Sequence, residues 1–316
     1  MADLAVVLAG IELRNPILSA SGTFGHGLEM QHFVSPALLG GLVSKTVTRR
    51  PRPGNPMPRI CETEAGLLNS IGLENRGISA YLGRTLPEMA DADTLVVTNI
   101  GGESPAEFAE LAGLLEVRTE VDAIEINLSC PNVDGGRLPF STDPHVAEQV
   151  VRLVRAATKK PLFAKLSPNV TRIGEIARAV EAGGADAITA VNTLLGMAID
   201  WRCGRPRLAT VQGGYSGKGI KPIALRCAWE CARSVAIPVI GCGGISSADD
   251  VLEFLVAGCT AVQVGTASFS DPALIGRLPA EVGRLLDAAG IASARELIGT
   301  LQAHAQPLEA AAGAAT

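Results

Sequence analysis

The run Ala123-Ile124-Glu125-Ile126 leads straight into Asn127-Leu128-Ser129-Cys130-Pro131-Asn132. The first part is short and β-rich. The second part ends it, because proline lacks the N–H that a strand ladder needs. A thiol and two carboxamides therefore stand where a strand becomes a loop. Outward from this point the same unit recurs: a short β-branched run followed by a helical stretch. The runs are Pro16–Ala20, Gly41–Thr46, Leu95–Ile100, Ala123–Asn127, Pro161–Leu166, Ala187–Val191, Pro238–Gly241 and Ala261–Gly265, eight in all. Several show no polar alternation, which is the mark of parallel strands covered on both faces.

The stretches between them carry helix signals. Ser104-Pro105-Ala106-Glu107 is a capping box with proline at the first helical position. Ser247 precedes a helix running to Leu255, with Asp249 and Asp250 in its first turn and Gly258 just past its end. Arg172–Ala182 has apolar residues at 173, 176, 177 and 180 and stops at Gly183-Gly184. Eight strand–helix units predict an α/β fold, a (β/α)8 TIM barrel. A doubly wound open sheet is the alternative, but the chain has no G-x-G-x-x-G turn.

Leu4–Leu8 and Gly10–Leu13 read as an N-terminal hairpin turning at Ala9-Gly10. Two connections exceed plain barrel loops: the proline-rich Arg49–Leu73 and Pro131–Thr142 with Gly135-Gly136. Long loops in a compact domain are usually functional or disordered, and carboxamides on the first favour function. The expected organisation is one barrel domain over residues 1–305, with long active-site loops at the C-terminal strand ends. An alanine-rich, flexible tail is expected at 306–316.

Bulk properties exclude several classes. The chain has 316 residues, 47% hydrophobic and 19% charged, with net charge −5. No basic run interleaves with aromatics, so nucleic acid is not expected as a partner. No stretch of about 18 apolar residues occurs, so no membrane helix is expected. Met1-Ala2-Asp3-Leu4 lacks a basic signal-peptide region. The seven cysteines are scattered, with no C-x-x-C and no zinc spacing. A reduced, cytoplasmic chain with mostly core cysteines follows, Cys130 excepted.

In a barrel, chemistry collects at the C-terminal strand ends. Those ends read Ser21, Lys45-Thr46, Asn99, Asn127, Lys165, Asn192-Thr193, Gly243-Gly244 and Gly265-Thr266. A lysine ending an apolar strand must meet a negative partner or lose its charge. One alone could be a snorkelling side chain, but two lysines with three asparagines on one rim make a polar ring. Glycines closing the last two strands suit phosphate, which barrels often bind there, although two tight turns would look similar. Gly213–Gly219 can add backbone donors. A phosphate-bearing flavin accounts for most of these features. Lys165 would face the N1/O2 edge of its ring, where negative charge develops on reduction. Lys45 and the carboxamides would hold a planar, anionic, amide-rich substrate.

The Asn127–Asn132 stretch resembles the active-site loop of class 1 dihydroorotate dehydrogenases. So do Ala20-Ser21-Gly22-Thr23-Phe24-Gly25, Asn69-Ser70-Ile71-Gly72-Leu73, Val191-Asn192-Thr193, Gly243-Gly244-Ile245 and Val264-Gly265-Thr266-Ala267, in order from about Leu4 to about Leu301. The resemblance implies an FMN barrel that oxidises dihydroorotate to orotate in pyrimidine synthesis. It implies Cys130 as the base removing the C5 proton while the C6 hydride passes to the flavin. It implies flavin contacts from Ser21, Lys45, Thr46, Asn99, Asn127, Lys165, Val191, Gly217, Gly243, Gly244, Gly265 and Thr266. Substrate contacts would come from Lys45, Asn69, Ser70, Ile71, Gly72, Leu73, Asn127, Asn192 and Thr193. A free thiol, with pKa about 8.5, can serve as a base if nearby cations lower it.

Asn132-Val133-Asp134-Gly135-Gly136, with Phe140 and Asp143-Pro144, resembles class 1B, as does Ala20–Gly25. That subclass implies a homodimer of this chain with an electron-transfer subunit, a heterotetramer whose partner carries FAD and a 2Fe–2S cluster and passes electrons to NAD+. This chain lacks a dinucleotide fingerprint and a ferredoxin-type cysteine cluster. Alternatives are a class 1A fumarate-dependent enzyme and a dihydropyrimidine dehydrogenase-like reductase. A Schiff-base aldolase on Lys165 or Lys45, or a non-catalytic flavin carrier, leaves Cys130 and the asparagine ring without a role.

Overall fold

The computed structural model describes residues 1–129 and 139–302. In chain order the strands are β1 (Val6–Leu8), β2 (Ile11–Leu13), β3 (Ile17–Ser19), β4 (Gly41–Val43), β5 (Ile60–Thr63), β6 (Gly66–Asn69), β7 (Leu95–Ile100) and β8 (Ala123–Asn127). They continue with β9 (Leu162–Leu166), β10 (Ala187–Ala190), β11 (Leu194–Met197), β12 (Ile199–Asp200), β13 (Arg205–Pro206), β14 (Gln212–Ser216), β15 (Val239–Cys242) and β16 (Ala261–Val264). Eight of them close a parallel barrel in the order β10-β15-β16-β3-β4-β7-β8-β9. Closure excludes the doubly wound sheet. Each expected run is a barrel strand: Leu95–Ile100 and Ala123–Asn127 match end to end, and the other six are trimmed or extended by one to three residues at their ends.

The barrel strands are buried on both faces, and the two faces differ in chemistry. Ile124 and Ile126 of β8, with Leu162, Ala164 and Leu166 of β9, point outward into the shell of helices. The alternate residues point inward, as the two-residue period of a strand requires. At the lower end the inward layer is apolar: Leu18, Val43, Val97, Phe163 and Ile240 pack together. The hairpin β1–β2 adds Val6, Leu8 and Leu13 to this cluster and so plugs the barrel's N-terminal end. Its turn uses Ala9 at φ 50° and Gly10 at φ 82°. One step further along the strands, the inward residues become Asn99, Glu125, Lys165, Thr189 and Gln263, all buried.

The helices start and stop where local chemistry sets them. Ser104 Oγ accepts from Glu107 N at the head of Pro105–Glu116, while Glu107 Oε2 reaches back to Glu103 N. Asp143 caps Pro144–Ala157, which buries Ala147, Val150, Val151 and Val154 on one face. Ile173–Gly183 ends at Gly184 in the left-handed region, where glycine carries no Cβ penalty. Ser247 Oγ accepts from Asp250 N above Ala248–Val256.

Three sequence expectations change or fall outside view. Arg49–Leu73, expected as a long functional loop, contains two strands, β5 and β6, paired antiparallel. They join β11 and β14 in a four-stranded antiparallel sheet, order β11-β14-β6-β5. The cysteines divide: Cys227, Cys231, Cys242 and Cys259 are buried, but Cys61 is half-buried and Cys203, near the turn between β12 and β13, is exposed. Cys130, the Gly135-Gly136 part of the second long loop and the 306–316 tail lie outside the described residues.

The lower apolar layer depends on Phe163, which is fully buried. Phe163→Ala is expected to lose about 3–5 kcal/mol in urea denaturation. Val7→Ala, on the half-exposed face of β1, should stay within about 0.5 kcal/mol.

Candidate active site

A cleft of about 1080 Å³ opens at the C-terminal ends of the barrel strands. Asn69, at the end of β6, and the irregular segment Ser70–Leu73 that follows it form part of its wall. Every residue expected to hold cofactor or substrate, from Ser21 to Thr266, lines this cleft; Cys130, the expected base, lies outside the described residues. Ser129, the last described residue before it, lines the cleft too.

The rim is held by short polar contacts. Asn192 Nδ2 donates to Asn127 Oδ1 at 3.1 Å, and the same oxygen accepts from Ser129 N at 3.2 Å. Asn192 Oδ1 accepts from Thr193 N at 2.7 Å. Ser21 and Thr46 hydroxyls lie 3.4 Å apart, and Thr266 Oγ1 bonds Ser216 Oγ at 2.8 Å. The Asn69–Leu73 segment is pinned from outside. Asn55 Nδ2 donates to Ser70 O at 2.9 Å, and Asn75 Nδ2 donates to Leu73 O at 2.7 Å. Asn69 Nδ2 donates to Gly214 O at 3.3 Å, tying β6 to β14.

Below the rim lies the buried polar layer. Glu125 Oε1 accepts from Asn99 Nδ2 at 2.6 Å. Its Oε2 accepts from Gln263 Nε2 at 2.6 Å and from Thr189 Oγ1 at 2.7 Å. Lys165 Nζ donates to Gln263 Oε1 at 2.7 Å and stands 3.7 Å from Glu125 Oε1. Burial pulls the Lys165 ammonium down, but Cys242 and Glu125 beside it outweigh burial and raise its pKa above the lysine norm. Burial pushes the Cys242 thiol up. So the negative partner that Lys165 requires is Glu125, which the sequence reading passed over. Gln263, Thr189 and Asn169 were passed over as well. Asn169 Nδ2 donates to Thr193 O at 3.2 Å and its Oδ1 accepts from Leu195 N at 2.8 Å, steadying the Asn192-Thr193 corner. A signal for Glu125 did exist: a carboxylate and an ammonium inside two neighbouring apolar strands.

The glycine turns lie on the opposite side. Gly244 has φ 80°, and a Cβ there would come within 2.7 Å of Lys221 N. Lys221 Nζ bonds Asp250 Oδ1 at 2.6 Å, and Ser246 N donates to Asp250 Oδ2 at 2.7 Å, so this corner is clamped from behind. Four polar atoms on cleft-lining residues are buried without a partner among the described residues: Thr63 Oγ1, Ser70 Oγ, Asn99 Oδ1 and Ser129 Oγ. Buried polar groups normally bond, so these fit a polar ligand in the cleft. Among the described residues no group of three metal-ligating side chains occurs.

The dihydroorotate dehydrogenase family model matches residues 3–286. The chain belongs to that family. It is 52% identical over 300 residues to the "Dihydroorotate dehydrogenase B (NAD(+)), catalytic subunit" of Geobacter sulfurreducens, covering 95% of this chain and 98% of the relative. The protein of the same name from Pelobacter propionicus is 49% identical over 95% of this chain and 99% of its own length. A crystal structure of DHODH from Eimeria tenella with ferulenol superposes with TM-score 0.78 at 22% identity, covering 94% of this chain and 88% of that one, and shows the shared barrel fold. Among the described residues no helix is long and apolar enough to cross a membrane.

The clamp behind Gly244 gives a pH test. Burial raises the Asp250 carboxyl, but the Lys221 ammonium and the Ser246 donors outweigh it and hold it below the usual 3.8. Its stabilisation is present above the ordinary aspartate value and lost as pH falls through the depressed folded value. In urea denaturation Asp250→Asn should cost about 1–3 kcal/mol at neutral pH, with the two proteins converging below the ordinary aspartate range.

Proposed function

We propose that this chain oxidises (S)-dihydroorotate to orotate in pyrimidine synthesis, as the catalytic subunit of an NAD(+)-linked dihydroorotate dehydrogenase with FMN in its cleft. The observation that carries the reading is that one cleft gathers the carboxamides Asn69, Asn99, Asn127 and Asn192, the ammonium of Lys165 and the two glycine turns.

The residues present fit a flavin nucleotide. Backbone N–H groups at Gly243-Gly244 and Gly265-Thr266 suit its phosphate, and the unpartnered Asn99 oxygen and the Lys165 ammonium suit the polar edge of its ring. When bound, a flavin supplies the acceptor for the substrate's hydride. The chain's own groups do the rest. Lys165, buried at the floor of the cleft, holds a fixed positive charge. Asn127 and Asn192, already bonded to each other, present carboxamide groups that both donate and accept, which suits the alternating N–H and C=O groups of a pyrimidine ring. Lys45 supplies the cation for the substrate carboxylate. Cys130, the residue that follows cleft-lining Ser129 in the sequence, takes the C5 proton as the general base.

The names of the relatives, a catalytic subunit linked to NAD(+), support electron exit through a separate subunit; FAD and a 2Fe–2S cluster on that subunit are part of the proposal. Leu195, Met197, Ile199 and Trp201 are large apolar side chains left exposed on β11 and the hairpin beside it, which supports assembly with further chains, including a second copy.

With FMN loaded and oxygen excluded, dihydroorotate should bleach the flavin absorbance and dihydrouracil should not. No bleaching by dihydroorotate sinks the reading. Cys130→Ser should keep the flavin bound and slow reduction by about 10²–10⁴-fold; an unchanged rate removes Cys130 as the base.

A further inference from the structure

We infer that Glu125 is a positioning residue: it dictates which end of the Asn99 carboxamide faces the cleft and keeps Lys165 a fixed cation. The inference rests on the reading that a flavin ring occupies the cleft, but the orientation it assigns belongs to the chain itself. A carboxylate only accepts hydrogen bonds, and an ammonium only donates. Glu125 therefore imposes one polarity on everything around it. The nitrogen ends of Asn99 and Gln263 must turn toward it, as they do at 2.6 Å each. The oxygen of Gln263 is then left for Lys165, at 2.7 Å. Turning either carboxamide over would set oxygen against oxygen, or nitrogen against the ammonium.

At position 99 the consequence reaches the ligand. With Nδ2 committed to Glu125, Oδ1 is the end left over. It is buried and has no partner among the described residues, on a side chain that lines the cleft. The site thus presents an acceptor, and a flavin ring carries an N–H donor to meet it. A neutral glutamine at 125 would break this logic, because its own NH2 can donate to a turned Asn99, which would then present a donor. It would also remove the countercharge 3.7 Å from an ammonium that is 4% exposed, letting burial pull that lysine toward its neutral form. A carboxylate that only held the barrel together would have neither effect.

Two measurements on the full chain decide this. In ligand-free protein carrying 15N-asparagine, the Asn99 side-chain NH2 should exchange slowly with solvent, and in Glu125→Gln at least about tenfold faster. With FMN bound, the midpoint potential of Glu125→Gln should gain a pH-dependent break absent from the wild type, as Lys165 begins to titrate. Glu125→Asp keeps the charge but withdraws it by one methylene. It should speed Asn99 exchange while leaving the potential profile unbroken, and it carries the test if Glu125→Gln does not fold. Slow Asn99 exchange in either variant, or superimposable potential profiles for Glu125→Gln and wild type, overturns the assignment. A wild-type chain that takes up no FMN would instead sink the proposed function and leave the exchange result standing.

Discussion

A carboxylate and an ammonium sit 3.7 Å apart in the middle of the barrel, and the upper half of the molecule is arranged around them. Taking two charges out of water costs several kcal/mol for each ion unless the remaining lone pairs and protons are satisfied. Here they are satisfied by Asn99 on β7, Thr189 on β10 and Gln263 on β16, with Glu125 on β8 and Lys165 on β9. Five of the eight barrel strands meet in one network. The polar layer divides the interior, with close-packed Leu18, Val43, Val97 and Phe163 below and the cleft above. An apolar plug at this level could hold the barrel equally well. The charges are retained where they can act on whatever lies over them.

Much of the barrel was legible in the sequence because its strands are buried on both faces. Runs such as Leu162–Leu166 show apolar residues at nearly every position, and helix signals separate them cleanly, as at Ser104 and Ser247. The antiparallel sheet over the cleft was not legible. Its strands are four or five residues long and half-exposed, with glycines at 66, 196, 213 and 214. Its pairings join Leu67 to Ser216 and Asn69 to Gly214, far apart in sequence, and no local periodicity carries such a contact. A proline-rich stretch next to glycine-rich runs therefore reads as loop.

The site shows the same division. Residues at the strand ends, such as Asn99, Asn127 and Lys165, could be placed together because a barrel collects those ends on one face. Glu125 could not, because it lies two residues inside a strand, where an isolated acid reads as the polar position of an alternating pattern. What it does depends on four partners from four other strands. Lys165 alone pointed to it, through the rule that a buried cation needs a countercharge. The glycine turns were visible as composition, but the Lys221–Asp250 clamp behind them joins two helices, Lys221–Ala232 and Ala248–Val256, that no local sequence signal pairs.

Family membership and the cleft both support the proposed reading, in which a ring lies between a phosphate cradle and a buried cation, with an amide-rich substrate among asparagines. The most direct measurement is a crystal structure of the chain with FMN and orotate. The expected result is a flavin ring against Lys165 and Asn99, its phosphate at Gly243-Gly244 and Gly265-Thr266, and orotate among Asn69, Asn127, Asn192 and Thr193. A flavin bound elsewhere, or orotate seated away from those asparagines, would contradict it.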